Sequence, residues 1–182
     1  MDPTKFTFPS LVLLVGAAVL LVFGFFDWIE VSAFGFSNSG GNVFDFFWTG
    51  SIPWLLIMTS ATIVVLRTQN LIRSESAPWP LLILVATGVG ALLLLIRLIF
   101  NPLEGADVVE AAGGSVGRTT WMVLAVAGGV VAAVGGLLGY GAEGGTLEDL
   151  TDADRLRESF PQRNDDPLPP PPAPPPPPPA TP

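Results

Sequence analysis

Four long stretches without a charged residue constrain what this chain can fold into. They are residues 6–26, 46–66, 76–96 and 119–142, with lengths of 21, 21, 21 and 24 residues. Because a helix rises ~1.5 Å per residue, each stretch can cross the ~30 Å hydrocarbon core of a bilayer. The sequence therefore predicts an all-α membrane protein in which residues 1–142 form a bundle of four transmembrane helices.

Proline marks the start of three of these helices. Pro9, Pro53 and Pro80 stand in predicted first turns, where proline is tolerated because the N–H groups there have no partner within the helix. The predicted spans are about residues 8–26, 48–66, 80–99 and 120–140.

Composition narrows the chemistry that the chain can perform. Only 13% of its residues are charged against 49% hydrophobic, and it contains neither cysteine nor histidine. Disulfides, thiolate or imidazole metal ligands, and nucleophilic sites that use cysteine or histidine are therefore excluded. The carboxylates of the connections lack the spacing of a calcium loop. We expect no catalytic residue, no cofactor and no metal site, and hence a protein that is not an enzyme.

The distribution of Lys and Arg predicts the orientation, since cytosolic connections are enriched in these residues. The first connection, residues 27–50, has three acids and no base, whereas the second contains Arg67 and Arg73. We expect residues 27–50 outside the plasma membrane and both termini in the cytosol, with six bases inside and two outside. The alternative is that the first stretch is a cleavable signal sequence, for which Val31-Ser32-Ala33 offers small residues.

A stripe of small residues runs down the fourth span. Small residues allow helix backbones to approach closely, which is what holds helices together in lipid. Two roles are open for this stripe: packing within one chain, or the face of a homo-oligomer. The residues assigned to helix packing are Ala125, Gly128, Gly129, Ala132, Gly136 and Gly139.

Arg97 is the charged residue that lies closest to the hydrocarbon core. A charge at the centre of a span costs about 2.5–3.5 kcal/mol, which makes such a residue a candidate for function. Because Arg97 is about one turn from the end of its span, we expect its side chain to snorkel to water or to pair with Asp27 or Glu30. The functional interpretation is a contact with an anion or a lipid head group.

The first outer connection is rich in aromatic residues. Its arms, residues 29–36 and 43–47, are expected to pair as a hairpin across a turn at Gly40-Gly41. Aromatic rings also gather at membrane surfaces because they are amphipathic, so both interfacial anchoring and a binding surface for an envelope partner or lipid are open. The second outer connection, residues 101–118, is expected to be a simple connector. The candidate contact residues, with Arg97, are Trp28, Phe34, Phe36, Phe44, Phe46, Phe47 and Trp48.

The C-terminal tail has two parts. Residues 143–160 form an acidic segment that contains the pattern of a short amphipathic helix. Residues 161–182 include 13 prolines among 22 residues, which predicts a disordered polyproline segment. This segment is either a stiff spacer or a docking ligand for a cytosolic protein. Its acidic flank argues against nucleic acid.

Two motifs resemble those of a known group of proteins. They are Phe26-Asp27-Trp28-Ile29, and Asn42-Val43-Phe44-Asp45 followed by Thr49-Gly50-Ser51-Ile52-Pro53-Trp54. Over about residues 1–142 the chain resembles small four-span actinobacterial membrane proteins of unknown function. The resemblance implies a plasma-membrane location and carries over no catalytic residue.

These observations favour a non-catalytic integral membrane scaffold or accessory subunit. Its partners would be the bilayer, a membrane or envelope protein at the aromatic connection, a cytosolic protein at the tail and a second copy in a homo-oligomer. The alternative is a small oligomeric channel or transporter. The hydroxyls inside the spans, Ser60, Thr62 and Thr87 among them, are expected to bond to their own helices rather than line a pore.

Overall fold

The computed structural model describes residues 6–33, 36–72, 78–100 and 106–146, and four long helices dominate it. Three of those helices begin and end within two residues of the predicted spans, whereas the second begins at Ile52, four residues after the predicted start at residue 48. The predicted amphipathic segment beyond Thr146 and the proline-rich tail lie outside the described residues. In chain order the elements are α1 (Phe8–Gly24), β1 (Ile29–Ala33), β2 (Phe36–Gly40), a 3-10 turn (Val43–Asp45), a π-helical turn (Phe47–Ser51), α2 (Ile52–Thr68), α3 (Trp79–Phe100), α4 (Ala106–Ala111), β3 (Ser115–Arg118) and α5 (Thr120–Ala142).

The helix ends follow local sequence rules. Pro9 and Pro53 lie in the first turns of α1 and α2, as predicted. The side chain of Thr119 caps α5 by accepting a hydrogen bond from the backbone N–H of Met122 at 3.4 Å. After α2, the chain turns at Asn70, whose φ of 56° takes it out of the right-handed helical conformation.

Helices α1 and α5 run antiparallel along each other. Pro9 at the start of α1 faces Gly139 near the end of α5, with 3.9 Å between the proline Cβ and the position of a glycine Cβ. At the other end, the rings of Phe23 and Trp121 stack with their centroids 5.7 Å apart. Helices α2 and α3 complete the bundle. We call the end that contains Phe8 and Ala142 the open end, and the opposite end the capped end.

Glycines make the close crossing of α1 and α5 possible. A Cβ atom at Gly16 would overlap the backbone nitrogen of Ala132, and one at Gly128 would lie 2.7 Å from the backbone nitrogen of Leu20. The two backbones are therefore in contact, a packing mode that suits helices in lipid. Any larger side chain at these positions would force the helices apart.

The outer surface of the bundle is apolar. Along α1 and α3, Val15, Val22, Val85 and Leu92 are among many large hydrophobic side chains that stay exposed. Among the described residues, three helices are long and apolar enough to cross a membrane: Phe47–Thr68, Trp79–Phe100 and Thr120–Ala142. Helix α1 is a shorter apolar helix of 17 residues. An apolar exterior of this extent is typical of a protein surrounded by lipid.

A small antiparallel sheet covers the capped end, with strand order β2-β1-β3. Strands β1 and β2 pair from Ile29 opposite Gly40 to Ala33 opposite Phe36, so Gly40 lies within the paired strands and not in the turn between them. The predicted turn at Gly40-Gly41 is therefore wrong. Gly41, with φ of 73°, instead leads the chain from β2 towards the 3-10 turn.

The connection between α3 and α5 also joins this sheet. Strand β3 pairs with β1, with Ile29 opposite Arg118 and Ser32 opposite Ser115. The expectation of a simple connector is therefore wrong. The sheet joins two connections that lie on either side of α2 and α3 in the sequence, from Ser32 opposite Ser115 to Ile29 opposite Arg118.

Candidate functional site

Trp28 is the anchor of the cap, which we define as residues 27–33, 36–51 and 106–119. Its side chain is fully buried. Its backbone N–H donates to the carbonyl of Gly41 at 2.7 Å, and its carbonyl accepts from the N–H of Thr119 at 3.1 Å. Its indole N–H donates to the carbonyl of Phe23 in α1 at 3.2 Å. One residue thus joins the end of α1, the exit from β2 and the start of α5.

Arg97 connects helix α3 to the same anchor. Its guanidinium carbon lies 3.7 Å from the centroid of the Phe46 ring, and that ring stacks on Trp28 with centroids 6.3 Å apart. The Arg97 side chain is only 1% exposed, so it points into the protein rather than snorkelling to water. A guanidinium over an aromatic face is attracted by the negative face of the ring, and this attraction is strongest where water is excluded.

Among the described residues, the expected ion pair of Arg97 with Asp27 or Glu30 does not form. The carboxylate of Asp27 accepts a hydrogen bond from the Ser39 hydroxyl at 2.8 Å. Among the described residues, the salt bridge of the structure joins Arg67 and Glu143 at the open end. Neither Asp27 nor Glu30 is the partner of Arg97.

The predicted contact residues fall into two groups. Trp28 and Arg97 are buried and Phe46 is half-buried, and the three side chains pack on one another between the cap and α3. Phe36, Phe47 and Trp48 have exposed fractions of 82%, 62% and 72%. Phe44 is half-exposed and packs against Trp54, with ring centroids 5.3 Å apart. Phe34 lies outside the described residues.

Local hydrogen bonds fix the backbone that carries the exposed aromatic rings. The Asn42 side chain accepts from the N–H of Phe44 at 2.9 Å, while the Asp45 carboxylate accepts from the N–H of Asn42 at 2.7 Å. A Cβ atom at Gly50 would overlap the carbonyl of Val43. The 3-10 turn and the π-helical turn are therefore held together by a contact that only glycine allows.

The two faces of the sheet differ in polarity. Side chains alternate along a strand, and Ile29 and Val31 face the bundle while Glu30 and Ser32 face away. Arg118, at the end of β3, donates to the carbonyl of Ile99 at 2.9 Å and so ties the last turn of α3 to the sheet. The outward face of the sheet is rich in hydroxyls. Phe36, the first residue of β2, has an exposed ring.

The small-residue stripe of α5 lies inside the protein. Gly128 and Ala132 contact α1, as described above. A Cβ atom at Gly129 would lie 2.5 Å from the Leu94 side chain of α3, and one at Gly136 would lie 2.5 Å from the Thr87 hydroxyl. Ala125 is fully buried, and Gly139 is the half-buried end of the stripe opposite Pro9. Contacts within one chain therefore occupy the stripe.

Polar side chains within the helices bond to their own backbones. The hydroxyls of Ser60, Thr62 and Thr87 donate to the carbonyls four residues earlier at 2.8, 2.9 and 2.8 Å. This agrees with the pattern predicted from the sequence. Fully buried Leu20, Ile57 and Leu94 fill the centre between the helices.

In the part of the chain that the structure describes, no three acidic side chains lie close enough together to hold a metal ion. No protein-family model, no curated protein and no solved structure matches this chain.

Sequence reasoning missed the inward-facing role of Trp28, Phe46 and Arg97. All three were assigned to a contact surface because aromatic and cationic residues near a membrane surface commonly lie there. The spacing of the two connections contains no signal for the pairing of β1 with β3, which brings Thr119 onto the Trp28 carbonyl. Only the three-dimensional arrangement separates the anchor from the exposed rings.

Proposed function

We propose that this protein is a non-catalytic four-span scaffold or accessory subunit of the plasma membrane, whose cap binds an envelope or membrane protein. The observation that carries this proposal is a set of exposed aromatic rings, Phe36, Phe47 and Trp48, on a backbone fixed by a buried anchor. Aromatic residues that are held rigidly lose little conformational entropy on binding, which favours them as contact residues.

Helix α1 is the fourth span in this proposal. At ~1.5 Å per residue its 17 residues reach about 26 Å, slightly less than a typical hydrocarbon core. Phe25 and Phe26 continue the apolar sequence and are both exposed. Local thinning of the bilayer accommodates a shortfall of a few ångströms at modest cost.

The proposed orientation places the cap outside the cell and the open end in the cytosol. Arg67 lies near the open end, while Arg97 and Arg118 lie near the capped end. With Lys5, Arg73 and the three tail arginines, six of the eight bases fall on the cytosolic side. An excess of this kind marks cytosolic segments.

The interior supports a scaffold better than a channel. The hydroxyls of Ser60 and Thr87 are satisfied by their own helices, and Ile57 and Leu94 are packed between them. An ion path needs polar groups or water along the axis, since bare hydrocarbon is prohibitive for charge. Flux through liposomes that contain only this protein would contradict the scaffold function.

Site-directed photocrosslinking in intact cells tests the proposed partner surface. A photoreactive residue at Phe36 or Trp48 is expected to give a discrete crosslinked protein band. The matched control is Leu71, which is 70% exposed but lies at the open end, and it should not give the same band. Identical bands from all three positions, or no protein adduct from the cap, would contradict a specific cap partner.

The proline-rich tail is proposed to recruit a cytosolic protein with an aromatic groove. A prestiffened polyproline segment loses little entropy on binding such a groove. Affinity capture with the full chain is compared with capture by a chain truncated after residue 160. The truncated chain is expected to lose the cytosolic partner and to keep the partner of the cap. Equal recovery of cytosolic proteins by both forms would leave the tail as a spacer.

A further inference from the structure

A cavity of about 340 Å³ opens at the open end of the bundle, on the opposite side of the protein from the cap. It lies between all four long helices. Its deep wall is apolar and consists of Leu13, Val64 and Ile83, which are almost completely buried. Gly135 and Gly136 of α5 also line it. A Cβ atom at Gly135 would overlap the backbone of Leu13, so α5 lies directly against α1 on this side of the cavity.

The rim of the cavity is polar and carries a cation. Arg67 donates from both terminal nitrogens to the Glu143 carboxylate, at 3.2 and 3.4 Å, and both side chains remain partly exposed. These two bonds use two of the five N–H groups of a guanidinium, so Arg67 can donate to a second anion. Ser10, Thr68 and Tyr140, which carry hydroxyl groups, also line the cavity.

We propose that this cavity binds a single-chain amphiphile with a carboxylate head group, with its alkyl chain against the deep apolar wall and its carboxylate at Arg67. The division into an apolar wall and a cationic, hydroxyl-bearing rim matches the two parts of such a molecule. The volume is at the lower end of the ~300–1,000 Å³ range of small-molecule pockets, which favours one alkyl chain over a diacyl lipid. A guanidinium also suits a carboxylate, because the two planar groups can form paired hydrogen bonds.

Binding of radiolabelled dodecanoate to the full chain tests this proposal. The protein is purified in digitonin, which has no flexible alkyl chain, and binding is measured by equilibrium dialysis, with dodecanol as the uncharged comparison. We expect saturable binding of one dodecanoate per chain. Absence of saturable binding, or equal competition by a diacyl phosphatidylglycerol, would overturn the proposal.

A matched pair of glycine variants locates the site. Gly139 lines the cavity, and the nearest atom to a Cβ there is Pro9 Cβ at 3.9 Å, so Gly139→Leu extends into the space without a backbone clash. Gly141 lies two residues further along α5, outside the cavity lining, and a Cβ there meets nothing within 4 Å. Gly139→Leu should abolish dodecanoate binding and Gly141→Leu should preserve it. Equal effects of both variants would place the ligand elsewhere.

Two charge variants at the rim test the role of Arg67 without altering the helices. Arg67→Gln should weaken dodecanoate binding at least about tenfold and leave dodecanol binding unchanged, since a hydrogen bond to a charged group is lost. Glu143→Gln removes the competing carboxylate and should tighten dodecanoate binding about two- to fivefold. If both variants shift dodecanoate and dodecanol alike, the head-group assignment is wrong.

Discussion

At the scale of single residues, the position of Arg97 shows why a buried charge in a span need not mark a transport path. Its guanidinium lies on the Phe46 ring, which in turn lies on Trp28. The charge therefore contributes to the attachment of the cap to α3. A sequence alone indicates that such a charge needs a favourable environment, but not that an aromatic ring from a different connection provides it.

Replacing Arg97 should destabilise the protein through lost packing and lost cation–π attraction. We expect Arg97→Ala to lower the free energy of unfolding by about 2–4 kcal/mol, and Arg97→Lys to have a smaller effect because the charge is kept. Thermal unfolding of the purified protein measures this difference. Arg67→Ala is the control, since its partly exposed ion pair is worth about 1 kcal/mol or less. Equal losses of unfolding free energy for Arg97→Ala and Arg67→Ala would contradict the role of Arg97 in attaching the cap to α3.

At the scale of elements, the helices were predictable and the sheet was not. Charge-free length and first-turn prolines are local signals, and they placed α3 and α5 within two residues of their ends. The pairing of β1 with β3 depends on contacts across the intervening helices α2, α3 and α4, which no local pattern encodes. Gly40-Gly41 resembled a hairpin turn, but Gly40 is paired with Ile29, and β1 lies between β2 and β3.

Two glycines of the helices should respond oppositely to alanine. Gly16→Ala inserts a methyl group into the backbone contact with α5 and should cost about 1–3 kcal/mol of stability. Gly88→Ala in α3 meets no atom within 4 Å and should stabilise by about 0.5–1 kcal/mol, because alanine restricts the unfolded chain and favours helix. Thermal or denaturant unfolding of both variants checks the sign of each change. Two shifts of the same sign would rule out the close crossing of α1 and α5.

The strand register predicts a specific engineered disulfide. The chain has no cysteine, and Ser32 lies directly opposite Ser115 in the β1–β3 pair. The Cα atoms of opposed antiparallel residues are about 4.5–5.5 Å apart, within the range of a disulfide. The double variant Ser32→Cys and Ser115→Cys should therefore oxidise readily, as seen by non-reducing electrophoresis and mass spectrometry. Ser32→Cys with Val116→Cys should not, since adjacent strand residues point to opposite faces.

At the scale of the whole molecule, the bundle depends on α1 even though this helix has only 17 residues. Leu13 and Leu20 are almost completely buried against α5, and Gly16 touches its backbone. Removal of α1 as a signal sequence would leave the small-residue face of α5 against lipid without its closest partner. The packing therefore favours a retained first helix. A retained α1 that crosses the membrane places the cap and the open end on opposite sides of it.

Labelling of single cysteines with a membrane-impermeant maleimide tests whether the cap and the open end lie on opposite sides of the membrane. Ser39→Cys lies in the cap, whereas Thr7→Cys and Asn70→Cys lie at the open end, and all three positions are exposed. In intact cells Ser39→Cys should react, while the other two should react only after the membrane is permeabilised. Four spans require Thr7 and Ser39 on opposite sides, because α1 alone separates them in the chain. If Thr7→Cys and Ser39→Cys react together while Asn70→Cys stays protected, α1 does not cross the membrane, and the apolar exterior of that helix must be covered by protein instead of lipid.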